Sequence, residues 1–175
     1  MAIIDRLEDA RHLAAGGRWE GALTMILLAV AAASRAQFPK GTPSAVDPKK
    51  PMADREAFLA YLRDNSMKVT GPKVSSAFAK HTGVAGKDMS TDEILYEFYR
   101  CSLVHEGSLH PVVALRFEQS VPGVTKITVG GDPSTGKFTV KTGVLDWLHH
   151  IVRCDLQRRG LWPDSLSGHR GGGSD

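Results

Sequence analysis

The sequence has few cysteines. Of its 175 residues only Cys101 and Cys154 are cysteines, and both fall inside segments that the apolar periodicity predicts to be helical. Two such thiols do not form the disulfide framework of a small secreted domain. We therefore expect reduced thiols and a cytoplasmic protein.

The sequence also lacks a long apolar run and a basic leader. The apolar run over 22–33 is shorter than the roughly 20 residues that span a bilayer, and it is interpreted as a largely buried helix. The acidic residues Asp5, Glu8 and Asp9 occupy the place where a secretory signal has its basic and apolar regions. We expect no membrane segment and no secretory signal, and the sequence shows no internal repeat.

Neither sign of charge dominates. Lysine and arginine total 22 against 19 acidic residues, which gives a net charge of +3 and a pI near 9.0. This mild positive charge permits a polyanionic partner without requiring one. The length predicts one domain with a substantial core, over 1–162, followed by a Pro-, Ser- and Gly-rich tail over 163–175 that is expected to fray.

The apolar periodicity predicts a mainly α-helical protein. Helices are expected over 3–15, 18–37, 52–64, 90–107 and 143–159, and short strands over 112–117, 125–129 and 138–141. They predict a bundle of about four to six helices, with a small antiparallel β insertion over 108–142 before the last helix.

Two connecting segments are basic. The segment 38–51 is rich in proline and is expected to be a loop, either a solvated linker or a flexible basic arm that touches phosphates through Lys49 and Lys50. The segment 66–89 is interpreted as a surface excursion with a hint of a short helix near 74–78, and solubility accounts for its lysines.

The stretch 90–107 has the clearest helix boundaries in the chain. Ser90 and Glu93 have the spacing of a capping box, and Asp92 adds negative charge to the first turn, where the helix dipole favours it. Gly107 lies where a left-handed residue would end the helix. The stretch is therefore predicted to be one well-delimited helix.

Two residues of this helix, Arg100 and His105, are the candidate functional residues. At about 100° per residue, Ile94, Phe98, Cys101 and His105 share one inward stripe, so His105 is expected at its end. Arg100 lies roughly 140° away around the helix but could border the same cleft. The alternatives are a surface ion pair of Arg100 with Glu97, and a core or dipole-stabilised histidine at 105.

The run 99–107 (Tyr-Arg-Cys-Ser-Leu-Val-His-Glu-Gly) resembles the R-x4-6-H motif helix of the HEPN superfamily. The helices expected over 3–15 and 18–37 resemble the opening antiparallel pair of that superfamily. Many of its members are metal-independent ribonucleases whose Arg–His pairs meet across a homodimer. The resemblance implies an endoribonuclease in which Arg100 stabilises the charge of the transition state and His105 transfers a proton.

The same interpretation assigns contacts with RNA to five further side chains, and an alternative interpretation assigns no catalysis at all. The RNA contacts are expected at Tyr96, Tyr99, Ser102, Lys49 and Lys50. HEPN ribonucleases often carry Asn, Asp or His directly after the motif arginine, where this chain has Cys101. The alternative is therefore a non-catalytic HEPN-like module that binds nucleic acid, a nucleotide or a partner protein. A third hypothesis is a dimer without a ligand.

Other motifs were weighed and set aside. The segment 131–137 matches part of a phosphate-binding loop, but Phe138 stands where the magnesium ligand is needed, so a hairpin turn is expected. His105 and His110 are one residue too far apart for the helical zinc-protease motif. The neighbours His149 and His150 point to different faces and cannot chelate together. A nucleophile formed by Cys101 and His105 is disfavoured by the apolar surroundings of the thiol. We expect no metal and no cofactor.

Overall fold

The computed structural model describes residues 2–70, 78, 80–84, 87–116, 129–132 and 137–163. Three helices open the chain: α1 (Ala2–Ala15), α2 (Trp19–Gln37) and α3 (Asp54–Thr70). The first two have the predicted bounds to within one residue. The third begins two residues later and ends six residues later than expected, so it takes up part of the predicted surface excursion. The connection over 16–18 is short, which sets α1 and α2 antiparallel.

The helix α2 is the centre of the core. Its buried residues are Ala22, Leu23, Ile26, Leu27, Ala29, Val30, Ala33 and Ser34, and it packs on α1, on α3 and on the last helix of the chain. Among the described residues it is the one helix long and apolar enough to cross a membrane by length and composition. Because α2 is buried against three other helices, it is compatible with the central helix of a soluble protein.

Backbone hydrogen bonds join the two ends of the loop 38–51. Ser44 N donates to Lys50 O at 2.9 Å, and Met52 N donates to Thr42 O at 2.7 Å. The hydroxyl of Ser44 donates to Glu56 Oε1 of α3 at 3.0 Å. These contacts connect the loop to the start of α3, and the expectation of a loop is confirmed.

A β-hairpin that the sequence did not predict precedes the candidate helix. Strand β1 (Lys80–Val84) pairs antiparallel with β2 (Lys87–Ser90). Met89 is buried in the core, and His81 lies edge-on against Phe138 at 4.8 Å between ring centroids. The segment is therefore partly a core element, and the expectation of a surface excursion is wrong here. Residues 74–77 of the suggested short helix lie outside the described residues.

The helix α4 covers residues 91–105 and changes its winding on the way. It is α-helical over Thr91–Ile94, π-helical over Leu95–Cys101 and α-helical again over Ser102–His105. A π-helix bonds each N–H to the carbonyl five residues back, so it turns less per residue than an α-helix. The predicted start, end and capping box of this helix are confirmed. The prediction of which side of the helix faces the core is not.

The β insertion is a mixed sheet. Its strands are β3 (Val113–Arg116), β4 (Val129–Asp132) and β5 (Lys137–Lys141), and β5 lies in the middle. The pair β4–β5 is antiparallel, as in a hairpin, whereas β3 runs parallel to β5. The expectation of an antiparallel insertion is therefore wrong for β3, because β3 pairs with the second strand of the hairpin rather than with the first. The predicted strand 125–129 lies almost entirely outside the described residues.

The last helix, α5 (Gly143–Arg158), closes the fold. It ends before Gly160, whose φ of +64° is the left-handed conformation expected of a C-terminal cap. One continuous apolar core contains residues from all five described helices and from the three-stranded sheet. The protein is mainly α-helical with small sheets, as predicted. The tail over 164–175 lies outside the described residues.

Candidate functional site

The start of α4 is held by a cluster of charges on its first two turns. The backbone N–H and the hydroxyl of Ser90 both donate to Glu93 Oε2 at 2.9 Å. Arg55 of α3 donates to Glu93 at 3.0 Å and to Glu97 at 3.2 Å. The bonds from Ser90 lower the pKa of Glu93, with a further contribution from Arg55. Burial alone would lower the pKa of Arg55, but its two carboxylate partners outweigh burial and raise that pKa.

Arg100 lies inside the π-helical segment and has no carboxylate partner among the described residues. Its guanidinium carbon stands 5.0 Å from the ring centroid of Tyr96, and that ring packs edge-on against Phe58 of α3 at 5.3 Å. Its Nε atom is buried and makes no hydrogen bond within the described chain. The predicted alternative of an ion pair with Glu97 is wrong, because Glu97 is taken by Arg55.

His105 ends α4 on the protein surface. Its side chain is exposed, and the left-handed Gly107, with φ of +70°, follows it after Glu106. The expectation that His105 lies at the end of a buried stripe is wrong. The buried side chains include Leu95, Tyr99, Ser102 and Leu103, so the inward face lies to one side of the predicted stripe, and of that stripe only Ile94 is fully buried.

Two of the predicted RNA contacts are inaccessible in the folded chain. Tyr99 is 0% exposed, and its hydroxyl donates to Ala114 O of β3 at 2.7 Å. Ser102 is 3% exposed. The assignment of RNA contacts to Tyr99 and Ser102 is therefore corrected: both side chains lie on the inward face of the π-helical turn and pack in the core. Tyr96 is half-buried and keeps one face on Arg100.

The two predicted loop contacts lie on the surface. Lys49 and Lys50 are exposed, and the ammonium of Lys50 forms an ion pair with Asp47 at 3.2 Å. The loop that carries them leads into α3, whose first turn contains Arg55 and therefore faces the first half of α4. The structure thus brings Tyr96 and Arg100 together, leaves His105 exposed farther along the same helix, and places the two lysines on a neighbouring loop.

The described part of the chain offers no clustered metal ligands. Within it, no three His, Cys, Asp or Glu side chains lie close enough together to hold one ion. Cys101 and Cys154 are free thiols. The chemistry available at α4 is therefore that of a guanidinium held on an aromatic ring and an imidazole open to solvent.

The sequence of residues 2–152 matches the model of the Rv1289 family. The chain belongs to the Rv1289 family. The match runs from α1 into α5, so Arg100 and His105 both lie within it. No curated protein and no solved structure matches the chain.

Sequence reasoning missed two histidines that the fold makes distinctive. His110 packs its ring on Phe98 of α4 at 4.9 Å. His149 of α5 has a buried Nε2 atom without a hydrogen-bond partner in the described chain, and burial lowers its pKa to about 4. Both had been weighed only as metal ligands. The helical periodicity that places Trp147, Leu148, Ile151 and Val152 inward does place His149 near the edge of the buried face.

Proposed function

We propose that the protein is a metal-independent endoribonuclease with a HEPN-like helical bundle, acting in the cytoplasm as a homodimer. The single observation that carries the proposal is the state of Arg100. An arginine is always charged, and with no carboxylate partner among the described residues Arg100 keeps the donors at the exposed end of its guanidinium for a ligand, while its Nε is buried. Arginine binds phosphate oxygens in a forked geometry, and the phosphodiester of RNA presents such oxygens.

The π-helical turn supports this assignment. Segments of π-helix are rare and are found frequently at functional sites. Here the turn contains Tyr96 and Arg100 and holds the guanidinium on the tyrosine ring. Stacking limits the conformations of a long side chain, so less entropy is lost when Arg100 binds an anion.

The reaction follows from the two side chains. The 2′-hydroxyl of a ribose attacks the neighbouring phosphorus, and the bond to the 5′-oxygen breaks. His105 moves a proton in this reaction, since histidine is the side chain that most often acts as a general acid or base and this one is open to solvent. Arg100 stabilises the negative charge that grows on the phosphoryl oxygens. The products are a 2′,3′-cyclic phosphate and a 5′-hydroxyl, and the step requires no metal.

A homodimer would supply the second imidazole that one chain lacks. One imidazole does not conveniently serve both the attacking and the leaving oxygen. His105 lies at the exposed end of α4 beside Val104, an exposed apolar residue. Pairing two copies through this end would bring two histidines and two arginines to one groove, which is the arrangement that the HEPN resemblance implies.

A second candidate function is binding of RNA without cleavage. It is favoured by the contrast between Arg100, which is partly buried on Tyr96, and His105, which is exposed and makes no recorded contact with Arg100 in the described chain. A phosphate-binding module needs only the arginine. Its affinity for RNA would fall steeply with salt, as counterion release requires, whether or not His105 is present.

The test is cleavage of mixed single-stranded and structured RNA in EDTA. We expect Arg100→Ala to reduce the rate by about 10²- to 10³-fold, as loss of one charge-stabilising group does, and His105→Ala by at least about 10²-fold. The matched controls are Arg18→Ala and His12→Ala, which remove the same groups from exposed positions near α1. RNA binding by the wild type without cleavage would favour the second candidate. Equal cleavage by all five proteins would end the case for both residues.

A further inference from the structure

A pocket separate from α4 lies where α1, α2 and α5 meet. Its volume is about 110 Å³. An apolar protein cavity of about 150 Å³ holds a benzene molecule, so this smaller pocket has room for one edge of a six-membered ring. Small side chains on two helices leave room for a flat molecule. The apolar walls are Ala10, Ala14, Ala22, Ile26 and Leu145.

Three polar side chains of different chemistry complete the lining. They are the guanidinium of Arg11, the carboxylate of Asp146 and the imidazole of His149. The Nε2 atom of His149 is buried and has no hydrogen-bond partner in the described chain. A buried polar atom left without a partner is destabilising, so a ligand that supplies the missing hydrogen bond is favoured.

The charges around the pocket favour an uncharged ligand. The groups that act electrostatically on His149 are Arg11 and Glu8 from α1, and Arg153 and His150 from α5. Asp146 adds a second negative charge at the lining. Two positive and two negative groups cancel, and burial keeps the imidazole neutral at neutral pH. Neither an anion nor a cation gains from this environment.

We propose that this pocket binds the edge of an aminopyrimidine ring, of which cytosine is an example. Asp146 accepts a hydrogen bond from the exocyclic amine. His149, as its Nε2–H tautomer, donates to the neighbouring ring nitrogen. Arg11 donates to the ring carbonyl. A uracil edge presents an acceptor where cytosine presents the amine, so it would place its carbonyl against the carboxylate. The inference does not depend on RNA cleavage at Arg100.

The experiment is a titration of the intact protein with cytidine and with uridine. The imidazole signals of His149 are followed by NMR and are assigned as those missing from His149→Gln. The fluorescence of Trp162 gives a second readout, because its ring lies edge-on to His149 at 6.5 Å. We expect cytidine to shift both signals and to bind roughly tenfold or more tightly than uridine, as a correctly placed base contact discriminates.

The variant Asp146→Asn sharpens the test, since an amide offers both a donor and an acceptor. We expect it to weaken cytidine binding and to remove the preference over uridine. Asp9→Asn, at an exposed position of α1 outside the lining, is the control and should behave as the wild type. Equal affinity for the two nucleosides, or no shift of His149 by cytidine, would overturn the proposal.

A third titration distinguishes a free nucleoside from a base in RNA. A short oligocytidylate that shifts the His149 signals at lower concentration than cytidine would identify the base of an RNA strand as the ligand. An oligocytidylate that leaves these signals unmoved, while cytidine shifts them, would identify the free nucleoside. Either result supports the pocket chemistry proposed.

Discussion

Replacing Asp155 with alanine is expected to lower the free energy of unfolding by about 3 kcal/mol, the usual cost of breaking a buried charged pair from one side. Asp155 is 4% exposed. It accepts a hydrogen bond at 3.1 Å from the hydroxyl of Tyr61, which is fully buried, and one at 3.2 Å from Arg159. Its removal leaves the hydroxyl of Tyr61 without a partner in the core of α3 and α5.

Two further variants separate the charge from the hydrogen bond. Asp155→Asn keeps an acceptor for Tyr61 and should cost about 1 kcal/mol, the value of a typical net hydrogen bond. Tyr61→Phe should cost a similar amount, because Arg159 still holds the carboxylate. The double variant Asp155→Ala/Tyr61→Phe should be destabilised by less than the sum of its two single changes, because the hydroxyl that Asp155→Ala leaves without a partner is then absent. Urea unfolding measures all four, and additive costs would show that the two side chains are not coupled.

Acidification is expected to destabilise the protein through His149. Burial, with smaller contributions from Arg11 and Arg153, lowers its pKa from 6.5 to about 4. Between these two values the unfolded chain binds a proton that the folded chain does not. Stability is therefore present above the ordinary pKa and is lost as the pH falls toward the folded value. The full loss is about 3 kcal/mol, at about 1.36 kcal/mol for each unit of pKa.

Other groups contribute to acid unfolding, so the effect of His149 must be isolated. The pKa of His81 is also lowered by burial, and that of Glu93 is lowered chiefly by its hydrogen bonds with Ser90. We expect His149→Gln to flatten the dependence of stability on pH from about pH 6.5 to about pH 4. His12→Gln, at an exposed position of α1, should leave it unchanged. Parallel curves for the wild type and His149→Gln would contradict the account.

Local signals in the sequence were sufficient for most of the helices. Capping residues and terminal glycines mark the ends of helices independently of tertiary structure, and Ser90, Gly107 and Gly160 did so here. The strands were harder to predict from the sequence. β1 contains Lys80 and His81, and β4 contains Gly130 and Gly131, so neither has the β-branched alternation that identifies a strand. β1 pairs with β2 and β4 with β5, so each pairs with the next strand in the chain, and the ring contact between His81 and Phe138 packs the hairpin against the sheet.

The candidate site was predictable in identity but not in orientation. Arg100 and His105 stand out by residue type and spacing. Their directions depend on which of two neighbouring stripes faces inward, and Leu95, Tyr99 and Ser102 have the same helical spacing as Ile94, Phe98 and Cys101. The structure buries Tyr99 and Ser102 and exposes His105. The partner of Glu97 was also unpredictable, because Arg55 approaches it from another helix.

The most direct test of the central claim compares two strands of the same sequence, one of RNA and one of DNA, incubated with the wild-type protein in EDTA. The account predicts that only the RNA is cleaved, because only it carries the attacking 2′-hydroxyl, and that its new ends are a 2′,3′-cyclic phosphate and a 5′-hydroxyl. Arg100→Ala should leave both strands intact. Cleavage of the DNA strand, ends of another kind, or no cleavage of RNA by a folded dimeric protein would contradict the assignment of a ribonuclease.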